Sequence, residues 1–558
     1  MLARFVVFMK IIYRFALWLS TQLNTTTLRH GLTDTRWRLV GFVLATASVF
    51  LIARFSYFFV EIHMEHGDFA ANALKITHAK SFSEIYGNYS RFTFQHPGPI
   101  FFYVYAFGEA LLFDFLRLVP SPHSAHAISG LFIQTCFFCC SLLICRVWIR
   151  HPAFLPLALS LASIHYYLLE PAAHPFNVHS PFYSIWAPNV LLFPFLCLLV
   201  ACISLSLGRL AHLLPAALAA GFLLQGHVAQ PLFVLPLLGS AYGLCLYGHW
   251  TGKYTSSRQQ FIIVHRIFAV LVIFFALPVV IDLTRGSESN LSIILGHIEK
   301  HQGDHKTLQE SVLYFLAFFG YFSEIAFNAA PDKTPALLGT RWYFYATWFV
   351  IVLAPLGLAC WQRRWLPAAA IAFRDRTWIF LGFAIGLTLL WGTIQDGPMH
   401  RFNAYFNFSI LFLLLILLTA SVCFFIPVSV SPAHTIGRRV VLAAYTLPIF
   451  LTLYLFSHPP VLNSDFFLSQ VSQAIHNHTH HTAHQSGKGL IHLKFAHSSW
   501  DAAASVALAL QRTELLFTVD DSWGFLFGKR YILSKQEQRI VSIWTVTPQE
   551  IRITPSPS

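Results

Sequence analysis

The feature that most constrains this chain is a succession of apolar runs, each about as long as a membrane-crossing helix. They lie near 38–60, 99–118, 128–149, 152–169, 188–207, 210–226, 229–248, 262–281, 311–329, 342–361, 377–394, 403–426 and 440–456. A helix needs roughly 17 to 25 apolar residues to cross a ~30 Å hydrocarbon core while satisfying its own backbone hydrogen bonds. Composition agrees, since 56% of the 558 residues are apolar and only 11% charged. A mean hydropathy of +0.58 leaves too little charge to solvate a globule of this size. The expected fold class is an all-α polytopic membrane protein with eleven to thirteen transmembrane helices.

The count turns on charge. Short loops rich in Lys and Arg face the cytoplasm, and the candidates are Arg146 with Arg150, Arg209, Lys253 to Arg266, Arg363 to Arg376, and Arg438 with Arg439. They share one side only if two runs stay at the membrane edge. These are 99–118, which carries Glu109, Asp114 and Arg117, and 311–329, which carries Glu324. Eleven crossings then remain, and with the N-terminus inside, the stretches 61–98, 170–187, 282–310, 330–341, 395–402 and the C-terminal tail face outward. The segment 1–37 is apolar but broken by Arg4, Lys10 and Arg14 and has no small-residue cleavage site. It reads as an interfacial amphipathic segment, not a cleaved signal peptide. The net charge of +13 is scattered over short loops and forms no basic stripe, which excludes nucleic acid as a partner. The nine Cys fall mostly inside apolar runs such as CFFCCSLLIC (136–145), where they act as small core residues.

Beyond the transmembrane part, 38–456, the stretch 457–558 changes character. Residues 489–497 read as a strand, 499–512 as a helix with Ser499 as candidate N-cap, and 514–519 and 539–546 as further strands. That pattern predicts a small extracytoplasmic α/β domain after a His-rich linker. The linker, HNHTHHTAHQSGKGLIH (476–492), has His at mixed spacing. A metal site needs fixed geometry and a second shell, so no metal ligands are assigned there. In 282–310, beside Glu299 and Asp304, His297, His301 and His305 recur at i, i+4 and i+8, which would align them on one helical face.

Most of the unusual polar residues gather on the outer side. In EHGDFAANALKITHAK (65–80), Asp68 is either a solvated loop acid or a working carboxylate. Gly67 lets backbone or ligand approach closely, and DFAANALKI has the apolar spacing of a short amphipathic helix. Asp68 would sit in its first turn, where the helix dipole stabilises a carboxylate. Shielded from bulk water, it can take a proton from a hydroxyl nucleophile. In RFTFQHPGP (91–99) the prolines set a helix start, His96 adds a proton-bearing or phosphate-binding group, and Arg91 with Lys80 could clamp an anionic head group. SIWAPN (184–189) brings Trp186 and Asn189 to the same side. LLQGHVAQP (223–231) places His227, with Gln225 and Gln230, at the end of a span, for interhelical hydrogen bonding or ligand contact. In QDGPMHRFNAY (395–405), His400 and Arg401 suit either a phosphate or an interfacial anchor.

Gly67-Asp68, His96-Pro97-Gly98-Pro99 and Trp186-Ala187-Pro188-Asn189, together with the layout of the whole chain, resemble the GT-C superfamily of membrane glycosyltransferases. Protein O-mannosyltransferases and lipid A aminoarabinose transferases are relatives within it. The resemblance implies a GT-C-like fold with a catalytic first outer loop, 61–98. It also implies inverting transfer of a sugar from a polyprenyl-phosphate carrier to a hydroxyl of a glycan, lipid or protein. The setting implied is the bilayer of the cell envelope, the bacterial inner membrane, with the endoplasmic reticulum as alternative. Asp68 matches the family's first-loop catalytic carboxylate and His96 to Pro99 its His-Pro turn. His96, Arg91, Lys80, Trp186, Asn189, His227, His400 and Arg401 would then contact the donor. The chain departs from its relatives in two places. Asp68 is followed by Phe69, with Glu65 the nearest other acid, where several relatives carry an acidic pair. A later outer loop offers Glu170, His174, Asn177 and His179 where some carry an Asp. A second carboxylate and a divalent cation therefore stay open, and no other cofactor is implied. Two other readings remain: a transporter or flippase of a lipid-linked or anionic solute, which would place charge in mid-membrane, and a ligase or polymerase of surface polysaccharide.

Overall fold

The computed structural model of the protein describes residues 56–162, 185–284, 289–319, 349–353, 367–423, 470–476, 490–533 and 540–555, with short gaps inside these ranges. Outside the described residues lie the segment 1–37, nearly all of the run 38–60, the run 440–456, the residues Glu170, His174, Asn177 and His179, and most of the His-rich linker.

Six helices among the described residues are long and apolar enough to cross a membrane: Pro122–Trp148, Ala187–Ser206, Gln230–Trp250, Arg258–Thr284, Ala368–Ile394 and Phe402–Cys423. Their burial follows from how much of each circumference is apolar. Every residue of Leu192–Ser206 is buried, with Phe193 against Phe138 and Phe412, and Phe195 against Phe233 and Phe406. A helix apolar on every side belongs at the centre of a bundle. Arg258–Thr284 is as apolar but buries only Val264 and Asp282. Among the described residues Ile263, Ile273, Phe274 and Leu277 form its outer face, a surface suited to lipid and not to water.

The run 99–118 forms the helix Ile100–Glu109, extended by a π-helical turn, Ala110–Phe115, and falls short of a span. The run 311–329 begins with Leu308–Leu316 and the 3₁₀ turn Ala317–Phe319, and its remainder lies outside the described residues. Two stretches expected as basic loops are partly helical. Arg266 lies within Arg258–Thr284, and Arg374 and Arg376 within Ala368–Ile394. Arg is a good helix former whose stem lies along apolar surface while its head reaches a polar partner. Arg374 does this by bonding Asp375 at 2.9 and 2.8 Å.

The C-terminal part is a four-stranded sheet in the order β2-β1-β3-β4, with β1 Leu490–Phe495, β2 Phe517–Val519, β3 Ile540–Val546 and β4 Ile551–Pro555. Strand β1 pairs in parallel with β2 and β3, and β4 is antiparallel to β3. A parallel pair needs a crossover, which the helix Trp500–Arg512 supplies between β1 and β2. Ser499 holds the N-cap position but makes no side-chain cap bond. Its backbone, at φ −116° and ψ 12°, is not the extended conformation a capping side chain requires.

Between bundle and sheet lies the loop helix Asp68–Lys80. Expected to be amphipathic, it is instead buried along nearly its whole length. Phe69, Ile76 and Ala79 join the core of the helical bundle. Ala70, Ala71, Ala73 and Leu74 join the core of the C-terminal part, packed with Ala502, Ala503, Ala504 and Ala507. Short side chains on both helices let their backbones approach closely, and the crossover helix thereby covers the face that water would otherwise take.

The Pro97-Gly98-Pro99 turn enters Ile100–Glu109 at a close contact. Gly98 donates its N–H to the Gln225 carbonyl at 3.1 Å. The Gln225 side chain accepts from the Ile100 N–H at 3.0 Å and donates to the Phe275 carbonyl at 2.8 Å. A Cβ on Gly98 would stand 2.5 Å from Gln225 Cδ, an atom tethered at both ends. Gly98→Ala is therefore expected to destabilise the protein by about 1–3 kcal/mol, as overpacking does, read as a lowered Tm in detergent. An unchanged Tm would mean that Gln225 moves freely.

Candidate active site around Asp68

Asp68 is the first residue of the loop helix. Gly67 before it takes φ +56°, a left-handed backbone suited to glycine, and donates its N–H to the Asp501 carbonyl at 3.3 Å. The Tyr89 hydroxyl donates to Asp68 Oδ1. Burial pushes the Asp68 carboxyl above the usual carboxylate range, and the Tyr89 hydroxyl, the Arg91 guanidinium and the Trp186 indole offset it only in part. A carboxylate raised in this way is a stronger base than one in water.

One turn on, Asn72 donates Nδ2–H to the Ile185 carbonyl at 3.4 Å, fastening the turn that carries Trp186. The Trp186 ring lies 5.5 Å from Phe402 and 6.3 Å from Tyr405. Two stretches far apart in sequence thus meet beside Asp68. Asn189 is buried below them, donating its N–H to the Trp186 carbonyl and accepting from Gln134 at 2.8 Å, so its backbone holds the turn. His400 lies outside the described residues, as does the side chain of Arg401.

Tyr89 and Arg91 reach Asp68 from a hairpin-like loop. Gly87 N–H bonds the His96 carbonyl at 2.9 Å, His96 N–H the Asn88 carbonyl at 2.8 Å, and Ser90 N–H the Phe94 carbonyl at 3.0 Å. Tyr89 and Gln95 face each other across it. Three residues not anticipated from sequence fix this loop. Lys75, buried, donates to the Gly87 carbonyl at 2.7 Å and to Gln95 Oε1. Asn290 exchanges two hydrogen bonds with the Gln95 backbone, at 2.7 and 2.8 Å. Asp282 accepts from Tyr86 at 2.6 Å and from Asn290 N–H at 2.8 Å. The signals were present: Asp282 is the lone acid of a 27-residue apolar helix, and Lys75 interrupts an apolar stretch. Arg91 lies at the exposed end, its guanidinium 5.8 Å from the Trp500 ring.

His96 and His227 come together with ring centroids 4.6 Å apart. Burial, with His227 and Lys75 nearby, holds His96 well below its ordinary value, and burial pulls His227 down to about 4. Lys80 is not part of this gathering. It closes the far end of the loop helix, roughly 18 Å from Asp68 by the helical rise, and bonds Glu109 and Asp114 at 2.7 Å each. Two carboxylates claim the ammonium that sequence assigned to an anionic head group.

The C-terminal part grips the residues just before Asp68. Arg512 makes two 2.7 Å bonds to Glu65, whose side chain is fully buried. His66 contacts Asp501 and Ser505, both at 3.1 Å. Burial would raise the Glu65 carboxyl, but Arg512, with His123 and His126, brings it down to about 2.

No three-residue metal cluster occurs among the described residues. Of the expected His face, His297 lies in the helix Asn290–Lys300, His301 lies outside the described residues, and His305 is not helical. Around Asp68 the neighbours are a hydroxyl, an indole and a guanidinium, donors and a cation where a hard divalent ion needs oxygen ligands.

Removing Arg512 leaves a buried carboxylate without its partner, so Arg512→Ala should cost about 3–5 kcal/mol. Because the Glu65 pKa is depressed, its contribution is full above the unfolded value of 4.5 and lost as pH falls toward about 2. Thermal unfolding across that window should show the gap between wild type and variant closing as pH falls. A constant gap would contradict the pairing.

No family model matches the sequence, and no curated relative matches it. Among solved structures the chain is similar to the Archaeoglobus fulgidus oligosaccharyltransferase in a crystal structure with zinc and sulfate. The TM-score is 0.39 and the identity 10%, over 90% of this chain and 67% of that one. A likeness that distant carries no functional weight beside the geometry around Asp68.

Proposed function

We propose that this chain is an inverting membrane glycosyltransferase, moving a sugar from a polyprenyl-phosphate carrier to an acceptor hydroxyl on the extracytoplasmic face of the membrane. The observation that carries the reading is Asp68: a carboxylate at a helix start, half-buried, raised in basicity, and surrounded by Tyr89, Arg91 and Trp186. In this reading Asp68 takes the acceptor's proton as the acceptor oxygen attacks the anomeric carbon. The carbon–oxygen bond to the phosphate breaks with inversion, and its electron pair leaves on the lipid phosphate. That group is already a good leaving group, so no strong acid is needed, and Arg91 and His96 steady its oxygens. Tyr89 keeps Asp68 aimed, and the Trp500 face beside Arg91 gives a sugar an aromatic wall. The lipid tail lies between helices, and acceptor glycan, lipid or protein enters from the outer side of a bacterial inner membrane.

Asp68→Asn keeps the shape and removes the base. Loss of a general base costs about 10²–10⁴-fold, so transfer in proteoliposomes should fall by that factor while donor binding persists. The acid limb of wild-type kcat/KM should lie above the ordinary Asp value of 3.8, since activity needs the deprotonated form and burial raises its pKa. Full turnover by Asp68→Asn, or an acid limb at the ordinary value, would refute the assignment.

A further inference from the structure

The His96–His227 pair has a hydrogen-bond pattern that sets its chemistry. Backbone N–H groups only donate. Val228 N–H bonds His96 Nδ1 at 3.2 Å, and Ala229 N–H bonds His227 Nδ1 at 3.1 Å. Both Nδ1 atoms are therefore acceptors, and each neutral ring carries its proton on Nε2. Among the described residues neither Nε2 has a protein partner, and neither is a sealed, unsatisfied atom. His96 is only 8% exposed and His227 is partly exposed, so the pair offers two N–H donors, one from within the fold and one nearer its surface. The titratable and charged groups acting on His96 are His227 and Lys75, and Lys75 is committed to the Gly87 carbonyl and Gln95. Two adjacent imidazoles suggest a metal, but protonated Nε2 atoms cannot ligate one, and no third ligand stands nearby among the described residues.

We infer that His96 and His227 form a neutral two-donor cradle for the non-bridging oxygens of a phosphodiester, binding it by hydrogen bonds without adding charge. This rests on the proposed transfer reaction, in which the donor is a phosphodiester with one fixed negative charge and the product a lipid phosphate. Neutral donors suit that sequence of states. Two imidazolium ions would hold the more highly charged product tighter than the donor and slow its release, whereas neutral N–H groups discriminate less between the two.

The test is direct binding to the full-length protein in nanodiscs, with three probes: farnesyl methyl phosphate as a lipid-tailed diester, dimethyl phosphate as a free one, and farnesol as the tail alone. His96→Leu with His227→Leu should weaken the lipid diester by tenfold or more per donor lost and leave farnesol binding unchanged, which also reports that the fold is intact. His96→Gln with His227→Gln keeps an uncharged N–H near each Nε2 and should restore most of the affinity. Wild-type affinity for the lipid diester should be flat from pH 5.5 to 8. Equal histidine dependence for dimethyl phosphate, with no gain from the tail, would assign the cradle to free phosphate esters and overturn the lipid-donor assignment. Unchanged binding in the Leu variants, or affinity rising on acidification through pH 6.5, would overturn the neutral cradle. The two proposals fail separately. Histidine-dependent diester binding without sugar transfer removes the transferase reading, and Asp68-dependent transfer with histidine-independent binding removes the cradle.

Discussion

The structure depends on the burial of one short helix on two faces. Asp68–Lys80 gives Phe69, Ile76 and Ala79 to the helical bundle and Ala70, Ala71, Ala73 and Leu74 to the C-terminal core. Neither core is complete without it. The Glu65–Arg512 pair fixes the angle at which the two cores share it, because a fully buried carboxylate tolerates no arrangement that leaves it unpaired. From Glu65 a chain of polar side chains continues inward: His126 stands 3.7 Å away and also bonds Glu109 at 2.7 Å, and Glu109 in turn holds Lys80. The helix is thereby tethered by an ion pair just before its start, Glu65–Arg512, and at its end, Lys80 with Glu109 and Asp114.

That tethering gives Asp68 its surroundings. With the helix start held by Gly67 and Asp501, the hairpin loop and the Trp186 turn can converge on a carboxylate that is only partly open to water. Hydrogen bonds with Lys75, Asn290 and Asp282 brace the loop. Such preorganisation is what a proposed general base requires, since a base that wanders loses the advantage of proximity.

Part of this was legible in the residues. Apolar length marked the membrane-sized helices, the Trp-Ala-Pro-Asn turn marked a segment that reaches Asp68, and the His-Pro turn marked one that packs on Gln225 and His227. What failed to show were properties that pairing across the fold decides. Amphipathic spacing implies a solvated face, but the face of Asp68–Lys80 meets a helix more than 400 residues away in sequence. Lys80 looked available because Glu109 and Asp114 sit on a separate element. Tyr89 carried no local signal, since it acts through a hairpin whose register is set by Asn290. Strand β4 is a short edge strand with weak patterning and was not anticipated.

If Asp68 is the base of a transfer reaction, the donor's anomeric carbon–oxygen bond to its phosphate breaks, and the lipid-linked molecule is not simply moved. The most direct measurement follows wild-type protein in sealed proteoliposomes loaded with polyprenyl-phosphate sugar, recording lipid-phosphate release and the side of the bilayer on which intact donor resides. Release of lipid phosphate matched one for one by glycosylated acceptor, with the anomeric configuration inverted, is the predicted result. Donor crossing the bilayer intact, with no phosphate released, would contradict the account and make the protein a transporter.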